Sequence, residues 1–180
     1  YRWEWQQGRI LAAQGRSLQA LDAYRRAAAT LQTIRAEFSA GSETIAATLR
    51  EDASPLFLAL ADLLLRRSEE EQAREQEQAL LREAREAVEL LKTTELQDYF
   101  QDDCVAAVRA RIRELDATIV PGTAVLYPIA LTDRVELLLS LPDGLKKYSV
   151  PVTGKALVDE AHLFRRRLEK RTTRQYLKPS

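Results

Sequence analysis

Several features that define protein classes are scarce or missing in this chain of 180 residues. Its single cysteine, Cys104, excludes an internal disulfide and is typical of a reducing compartment, so we expect a cytoplasmic location. No apolar run approaches the roughly 18 residues of a membrane-spanning helix, and no secretory signal opens the sequence. The chain contains no methionine and begins at Tyr1, so we expect it to be a piece of a longer protein.

The chain also has no net charge. Lys and Arg together number 27, and so do Asp and Glu. Without a net basic field, we expect neither nucleic acid nor an anionic membrane as a partner. The chain does have 46% hydrophobic residues, which is enough for a core in one large domain or two small ones.

Three apolar runs separated by two short turn signals lie between Thr123 and Val152. The turn signals are Thr132-Asp133 and Pro142-Asp143-Gly144. This arrangement predicts a three-stranded antiparallel meander. Alternation with period two places four residues of the second run on one face: Val135, Leu137, Leu139 and Leu141. We expect that face to be buried under a helix.

Between Trp3 and Phe38, small and large residues recur at fixed spacings. They are Gly8, Leu11, Gly15, Ala20, Tyr24 and Ala27. The small residues would let two antiparallel helices approach closely, while the large ones fill the space between them. Gly15 would end the first helix in a left-handed conformation. The spacing resembles that of a tetratricopeptide (TPR) hairpin, although the leading tryptophan is displaced and the closing proline is missing.

A second helical pair is predicted further along the chain. Ser39–Ala53 is interpreted as a loop, and Ser54-Pro55 as the start of a helix that runs to about Arg67. Another helix is predicted from about Gln76 to Lys92. The stripes expected to be buried are Leu56, Leu60, Leu63 and Leu64 in the first helix, and Leu80, Ala84, Ala87, Val88 and Leu91 in the second.

A last helix is predicted from Gly154 to Thr172, with Thr153 as its cap. Its apolar stripe consists of Leu157, Ala161, Phe164 and Leu168. We expect this stripe to pack on the sheet. The predicted fold class is therefore α+β, with mainly α-helical TPR-like hairpins followed by a three-stranded antiparallel meander and a covering helix.

Four segments in a fixed order carry a wider resemblance. They are Glu95–Cys104, Ala124–Ile129, Asp133–Leu139 and Leu141–Gly144. From roughly Leu80 onward, the chain resembles the beginning of a CHAT domain, a family that joins TPR helices to a caspase-like cysteine peptidase domain. The resemblance implies a TPR-like helical region over residues 1–118 and an amino-terminal fragment of a CHAT domain over residues 119–180.

The resemblance implies a regulatory or scaffold role for this chain. Caspase-like peptidases use a His/Cys dyad at the carboxyl ends of central strands, and in the CHAT family both residues lie beyond the helix that would end near Leu177. It therefore implies no catalytic, cofactor-binding or metal-binding residue here, no cofactor, and no peptidase activity of this chain alone. The implied partners are a protein or peptide bound by the TPR helices and the remainder of the CHAT domain.

A second interpretation remains open. In it, the chain is a non-enzymatic TPR module for protein–protein interaction, and the small sheet caps the helices or docks a partner. The coding sequence after Ser180 would separate the two interpretations. A continuation with a strand-end histidine and a later strand-end cysteine favours the peptidase, whereas a stop codon favours the module.

The only cysteine and the only histidine, Cys104 and His162, invite a chemical interpretation as a thiol–imidazole dyad. Neither has a glycine-rich turn beside it, so a structural thiol and a solvent-facing imidazole are favoured. Asp102-Asp103 could ligate a metal, but adjacent carboxylates at a helix start are more often caps.

Two clusters of charged residues can be interpreted either as binding sites or as ordinary solvated surface. Arg165–Arg167, together with Lys170-Arg171 and Arg174, could bind phosphate or an acidic partner. Because acidic residues interleave with them, a solvated helix face with ion pairs is favoured. Glu69–Glu71 is interpreted as solvent-facing.

Overall fold

The computed structural model of the chain describes residues 1–38, 43–100 and 122–169. The helices in these ranges are α1 (Arg2–Ala13), α2 (Ser17–Phe38), α3 (Glu43–Glu70), α4 (Arg74–Phe100) and α5 (Gly154–Glu169). The strands are β1 (Val125–Ala130), β2 (Val135–Leu141) and β3 (Gly144–Val150). The predicted α+β class is confirmed. Across the described ranges, no helix has the length and apolarity needed to cross a membrane.

The first two helices form the predicted hairpin. Gly15 follows the end of α1 with a φ of 73°, which is the left-handed conformation expected of it. A Cβ atom at Gly8 would lie 3.0 Å from the ring of Tyr24, so the absence of a side chain lets α1 approach α2. Ala20 and Ala27 of α2 are fully buried. Small residues therefore set the separation of the two helices, as the spacing predicts.

The predicted helix start at Ser54-Pro55 is wrong. Helix α3 begins at Glu43 and continues through Pro55, although a proline inside a helix costs about 3 kcal/mol. The large apolar residues around it are buried: Leu49, Leu56 and Phe57. Burying three such side chains, at about 1.5–3 kcal/mol each, outweighs that cost. Residues 39–42 of the predicted loop lie outside the described residues.

The four amino-terminal helices stack in chain order, with α2 on α3 and α3 on α4. The predicted apolar stripes of α3 and α4 are largely confirmed. Buried members are Leu56, Leu60, Leu64, Ala84, Ala87, Val88 and Leu91. Leu63 and Leu80 are only partly buried and lie at the margin of this core.

The three strands form the predicted antiparallel sheet in the order β1-β2-β3. Pro142 and Asp143 make the turn between β2 and β3, and Gly144 follows with a φ of 125°. A Cβ atom at Gly144 would lie 2.7 Å from Oε1 of Gln78, so this position needs glycine for its backbone and for its surroundings.

The prediction of which sheet face is buried is wrong. The side packed on the helices carries Glu136, Leu138 and Ser140, with exposures of 0%, 0% and 3%. The opposite side, which we call the outer face, carries the large apolar residues Leu126, Leu137, Leu139, Leu141, Tyr148 and Val150, with Pro128 and Lys146 among them. Its members are half-buried or exposed, although Val135 at its end is buried as predicted. The alternation with period two was predicted correctly, but the buried side of the sheet is the one to which β1 and β3 contribute Tyr127, Ile129 and Leu145.

Helix α5 does not cover the sheet. Thr153 caps it as predicted, because its Oγ1 accepts the backbone N–H of Ala156 at 3.2 Å. Its first residue, Gly154, donates its N–H to the carbonyl oxygen of Leu131 at 2.8 Å. No residue of α5 is buried. The exposed fractions along the stripe are 40% for Leu157, 51% for Phe164 and 47% for Leu168. An amphipathic stripe predicts that a helix has a partner surface, but it does not specify which one.

Candidate functional site

The described structure does not assemble the residues that invited a chemical interpretation. Cys104, Asp102 and Asp103 lie outside the described residues, so the hypotheses about them stay predictions. His162 is exposed on α5, away from any strand end. Within residues 1–38, 43–100 and 122–169, no group of three His, Cys, Asp or Glu side chains is placed to hold a metal ion.

Where the structure describes it, the basic cluster on α5 is a solvated helix face with an ion pair. Arg165 donates from Nε to Oε1 of Glu169 at 2.9 Å, and both side chains are largely exposed. An exposed pair of this kind contributes little to stability. Lys170-Arg171 and Arg174 lie outside the described residues.

The three glutamates at the end of α3 are not all solvent-facing. Glu70 and Glu71 both accept hydrogen bonds from Arg67, at 2.5 and 2.6 Å, and Glu71 is only partly exposed. Glu69 accepts a hydrogen bond from Nζ of Lys147 on β3. The same Nζ also donates to the carbonyl oxygen of Leu65 at 3.1 Å. This acidic run therefore helps to attach α3 to the sheet.

Polar side chains on α4 make a second attachment between helices and sheet. They stand seven residues apart, which is about two helical turns, so they share one face. They are Gln78, Arg85 and Lys92. Arg85 is buried and donates to Oγ of Ser140 on β2 at 3.4 Å. Lys92 lies 4.9 Å from the ring centroid of Tyr127 on β1, a cation–π contact.

Gln78 pairs with β3 as a neighbouring strand would. Its Nε2 donates to the carbonyl oxygen of Leu145 at 2.9 Å, and its Oε1 accepts the N–H of the same residue at 2.8 Å. These two bonds satisfy backbone groups at the sheet edge, where an unpaired strand would invite association with other chains. On the other edge strand, β1, Pro128 lacks an N–H to offer.

The third attachment is an ion-pair network around Arg134, just before β2. Its guanidinium contacts Oε1 of Glu136 at 2.5 Å and Oδ1 of Asp62 on α3 at 2.7 Å. Ser149 on β3 donates to the Glu136 carboxylate at 2.7 Å. The fully buried carboxylate thus has a cation and a hydroxyl as partners, which is what allows it to stay buried.

Arg66 on α3 extends this network. Its Nε donates to Asp62 at 3.0 Å, and its Nη2 donates to Asp133 at 2.8 Å. The hydrogen bond from Arg66 lowers the pKa of Asp133. Burial alone would lower the pKa of Arg134, but its hydrogen bonds to Glu136 and Asp62 outweigh that effect and raise the pKa. Both arginines therefore hold their charge at any pH at which the chain is folded.

The sequence pattern does not predict these contacts. One available signal was the Arg134-x-Glu136 pattern at the start of β2, because residues two apart in a strand lie on the same face. A second was the seven-residue spacing of Gln78, Arg85 and Lys92 on an otherwise apolar helix side. The spacing on α4 does not identify a partner, because every partner lies more than 30 residues away along the chain. The Arg134-x-Glu136 pattern brings its two residues together, but it does not identify the further contacts to α3 and β3.

A cleft of about 360 Å³ lies between the α1–α2 hairpin and α3. Tyr24, Leu63, Asp62 and Arg66 are among the residues that line it. The last two also hold the turn before β2. A partner bound in this cleft would therefore touch side chains that attach α3 to the sheet.

Two apolar surfaces lack a cover within the described parts of the chain. One is the outer face of the sheet, where Leu126 is 55% exposed and Tyr148 54% exposed. The other is the stripe of α5, and a short connection joins it directly to β3. Exposed apolar side chains grouped on adjacent elements mark a site of contact with other protein.

No protein-family model matches this sequence, and neither a curated protein nor a solved structure matches it significantly. The function proposed below is argued from the sequence pattern and from the contacts just described.

Proposed function

We propose that this chain is a regulatory and scaffold segment of a caspase-like cysteine peptidase of the CHAT family. In this proposal, α1 to α4 are TPR-like protein-interaction helices, the sheet and α5 begin the peptidase domain, and the catalytic dyad lies beyond this chain. The proposal includes a cytoplasmic location, in line with the single cysteine.

The observation that carries the proposal is the pair of uncovered apolar surfaces. A peptidase domain with a central sheet has helices on both faces, whereas here the helices α3 and α4 cover one face only. The outer face and the α5 stripe are what the remainder of such a domain would bury. A short connection joins β3 to α5, and in this proposal one added unit covers both surfaces.

The same proposal makes this chain inactive as a peptidase. Cysteine peptidases need a thiolate, an imidazole and oxyanion donors converging within about 3 Å of one carbonyl group. His162 is exposed on a helix that has no buried residue, so the described residues form no enclosed site around it. The chemistry would have to be supplied by the rest of the domain.

The test compares this chain with a version extended by the coding sequence that follows Ser180. We expect the extension to slow amide hydrogen exchange in β2, β3 and α5 and to bring thiol-dependent peptidase activity. A stop codon after Ser180, or an extension that leaves both exchange and activity unchanged, would refute the proposal.

The alternative function is a non-enzymatic TPR module that binds a protein or peptide. The cleft between the α1–α2 hairpin and α3 favours it, because Leu63 and Arg66 contribute an apolar and a charged side chain to its lining. Under this alternative, binding of a partner peptide would be weakened by Arg66→Gln, and an extended version would gain no peptidase activity.

A further inference from the structure

A second cleft, of about 490 Å³, lies between α4 and the turn that joins β2 to β3. Its volume falls in the range of small-molecule sites, roughly 300–1,000 Å³. Arg74 and Arg82 stand on its helical side, and Pro142, Asp143 and Gly144 form its other wall. It lies at the opposite end of the sheet from the ion-pair network around the start of β2.

The arginines of this cleft have unused hydrogen-bonding capacity. Arg82 makes no hydrogen bond or ion pair with any residue of the ranges that the structure describes. Arg74 makes one long contact there, from Nη2 to the carbonyl oxygen of Asp143 at 3.4 Å. By contrast, Arg25 elsewhere in the helical half holds a carboxylate in a two-pronged contact. Arg82 therefore has donors available to a ligand in the cleft.

A buried guanidinium lies beneath the cleft. Ser140, one of the residues that line it, accepts a hydrogen bond from the buried guanidinium of Arg85. Asp143 contributes the single carboxylate among the lining residues that the structure describes, and Lys146 lies 4.0 Å from it. Among the residues that line the cleft, two arginines therefore stand against one carboxylate.

The wall opposite the arginines is fixed in position. Gln78 holds Leu145 through two hydrogen bonds, and the space beside Gly144 is filled by the Gln78 side chain. A ligand would therefore meet a preformed surface, and little binding energy would be lost in ordering the turn.

We propose that this cleft binds the phosphate group of a small phosphorylated molecule. Arg74 and Arg82 lie eight residues apart, about 12 Å along the helix axis, so their long side chains can converge on one ligand from two sides. A phosphate offers three or more acceptor oxygens, enough for both guanidinium groups, whereas one carboxylate is used up by a single two-pronged contact. The cleft also leaves room beside the phosphate for the body of a ligand. The proposal does not depend on the function proposed above.

The experiment is a calorimetric titration of the full chain with inorganic phosphate and, separately, with adenosine 5′-triphosphate, at constant ionic strength. The variant is Arg82→Gln, and the control is Arg166→Gln, which removes the same charge from an exposed position on α5. We expect saturable binding, weakened at least about tenfold by Arg82→Gln and unchanged by Arg166→Gln. Circular dichroism of both variants checks that they are folded.

The two ligands distinguish the source of the phosphate. Saturation by inorganic phosphate means that the cleft recognises the anion alone, and saturation by the nucleotide only means that it needs the attached body as well. Either result supports the proposal. Binding that does not saturate, or that Arg82→Gln and Arg166→Gln weaken equally, would overturn it, because the attraction would then be one of general charge.

Discussion

The guanidinium of Arg134 lies 2.5 Å from the carboxylate of the fully buried Glu136, and this carboxylate lies on the side of the sheet that faces the helices. Taken alone, an acidic residue in a strand predicts a solvent-facing position. Here the neighbouring cation contacts both the carboxylate and Asp62 of α3, so Glu136 can be buried beside Ile129 and Leu138 on the side that packs on the helices. The leucine-rich side is left on the outside, where a further protein surface can cover it.

Removing the cation should therefore be costly. Arg134→Leu leaves the buried Glu136 with only Ser149 as a partner, and we expect it to lower the free energy of unfolding by about 3 kcal/mol. Urea unfolding followed by circular dichroism measures the change. The matched control is Arg165→Leu, which breaks an exposed pair and should cost under about 1 kcal/mol. Equal effects of the two substitutions would show that the buried pair is not structural.

Two adjacent leucines of β2 report which face is buried. Leu138 has an exposure of 0%, and Leu139, on the outer face, is only half-buried. We expect Leu138→Ala to cost about 2–5 kcal/mol because it opens a cavity in the core. Leu139→Ala should cost well under half as much. Thermal unfolding of the two variants compares them directly, and the reverse order would mean that the sheet packs through the face that the sequence pattern predicts.

The α1–α2 contact depends on small side chains. Ala20 is fully buried, so Ala20→Leu adds volume where none is free and should cost about 1–3 kcal/mol. Ala13→Leu, at the exposed end of α1, makes the same chemical change without that crowding and should leave stability nearly unchanged. Chemical denaturation of both variants tests this, and a neutral Ala20→Leu would show that the hairpin can repack.

The ion pairs between helices and sheet predict an acid-sensitive contact. Hydrogen bonds from Arg66 and Lys147 lower the pKa values of Asp133 and Glu69 in the folded chain. When a carboxylate has a lower pKa in the folded chain than in the unfolded chain, its ionised form stabilises the fold at pH values above the unfolded pKa, which is about 4 for these groups. This stabilisation is lost as the pH falls through the folded pKa. We expect the free energy of unfolding to drop below about pH 4.

The control for that pH dependence is Asp133→Asn together with Glu69→Gln. This double variant should start from a lower stability at neutral pH and show a shallower decline below about pH 4. If its decline is as steep as that of the parent chain, other carboxylates carry the effect. Because both groups are largely exposed, added salt should reduce the difference between the two proteins.

The purified chain should show no peptidase activity, and Cys104 should react slowly with iodoacetamide at neutral pH. Slow alkylation is expected because the sequence around Cys104 offers no cation closer than Arg109 to favour the thiolate. Mass spectrometry of the labelled chain measures the rate. Rapid labelling, with peptide cleavage abolished by Cys104→Ala and by His162→Ala, would restore the dyad hypothesis.

Local sequence signals were enough to place most elements of this fold. Period-two alternation and the Pro142-Asp143-Gly144 turn located the strands, and Gly8, Gly15 and Ala20 located the first hairpin, because these signals act over a few residues through sterics and backbone geometry. The same signals failed at Pro55, where a helix start was predicted. A proline prefers the first turn of a helix, but burial of distant side chains against α2 and α4 compensates for it in the interior.

The candidate sites could not be located from local sequence signals. Alternation says that β2 has two faces, but contacts between distant segments select the one that is buried. Among them are the ion pairs with α3, which lies more than 60 residues earlier in the chain. Likewise, Arg74, Arg82 and the turn after β2 form a cleft only because Gln78 fixes α4 against β3. Charged side chains that look ordinary in the sequence form ion pairs or line a cleft once folding removes them from water and gives some of them partners. Which of them do so depends on distances in space that no local sequence pattern encodes.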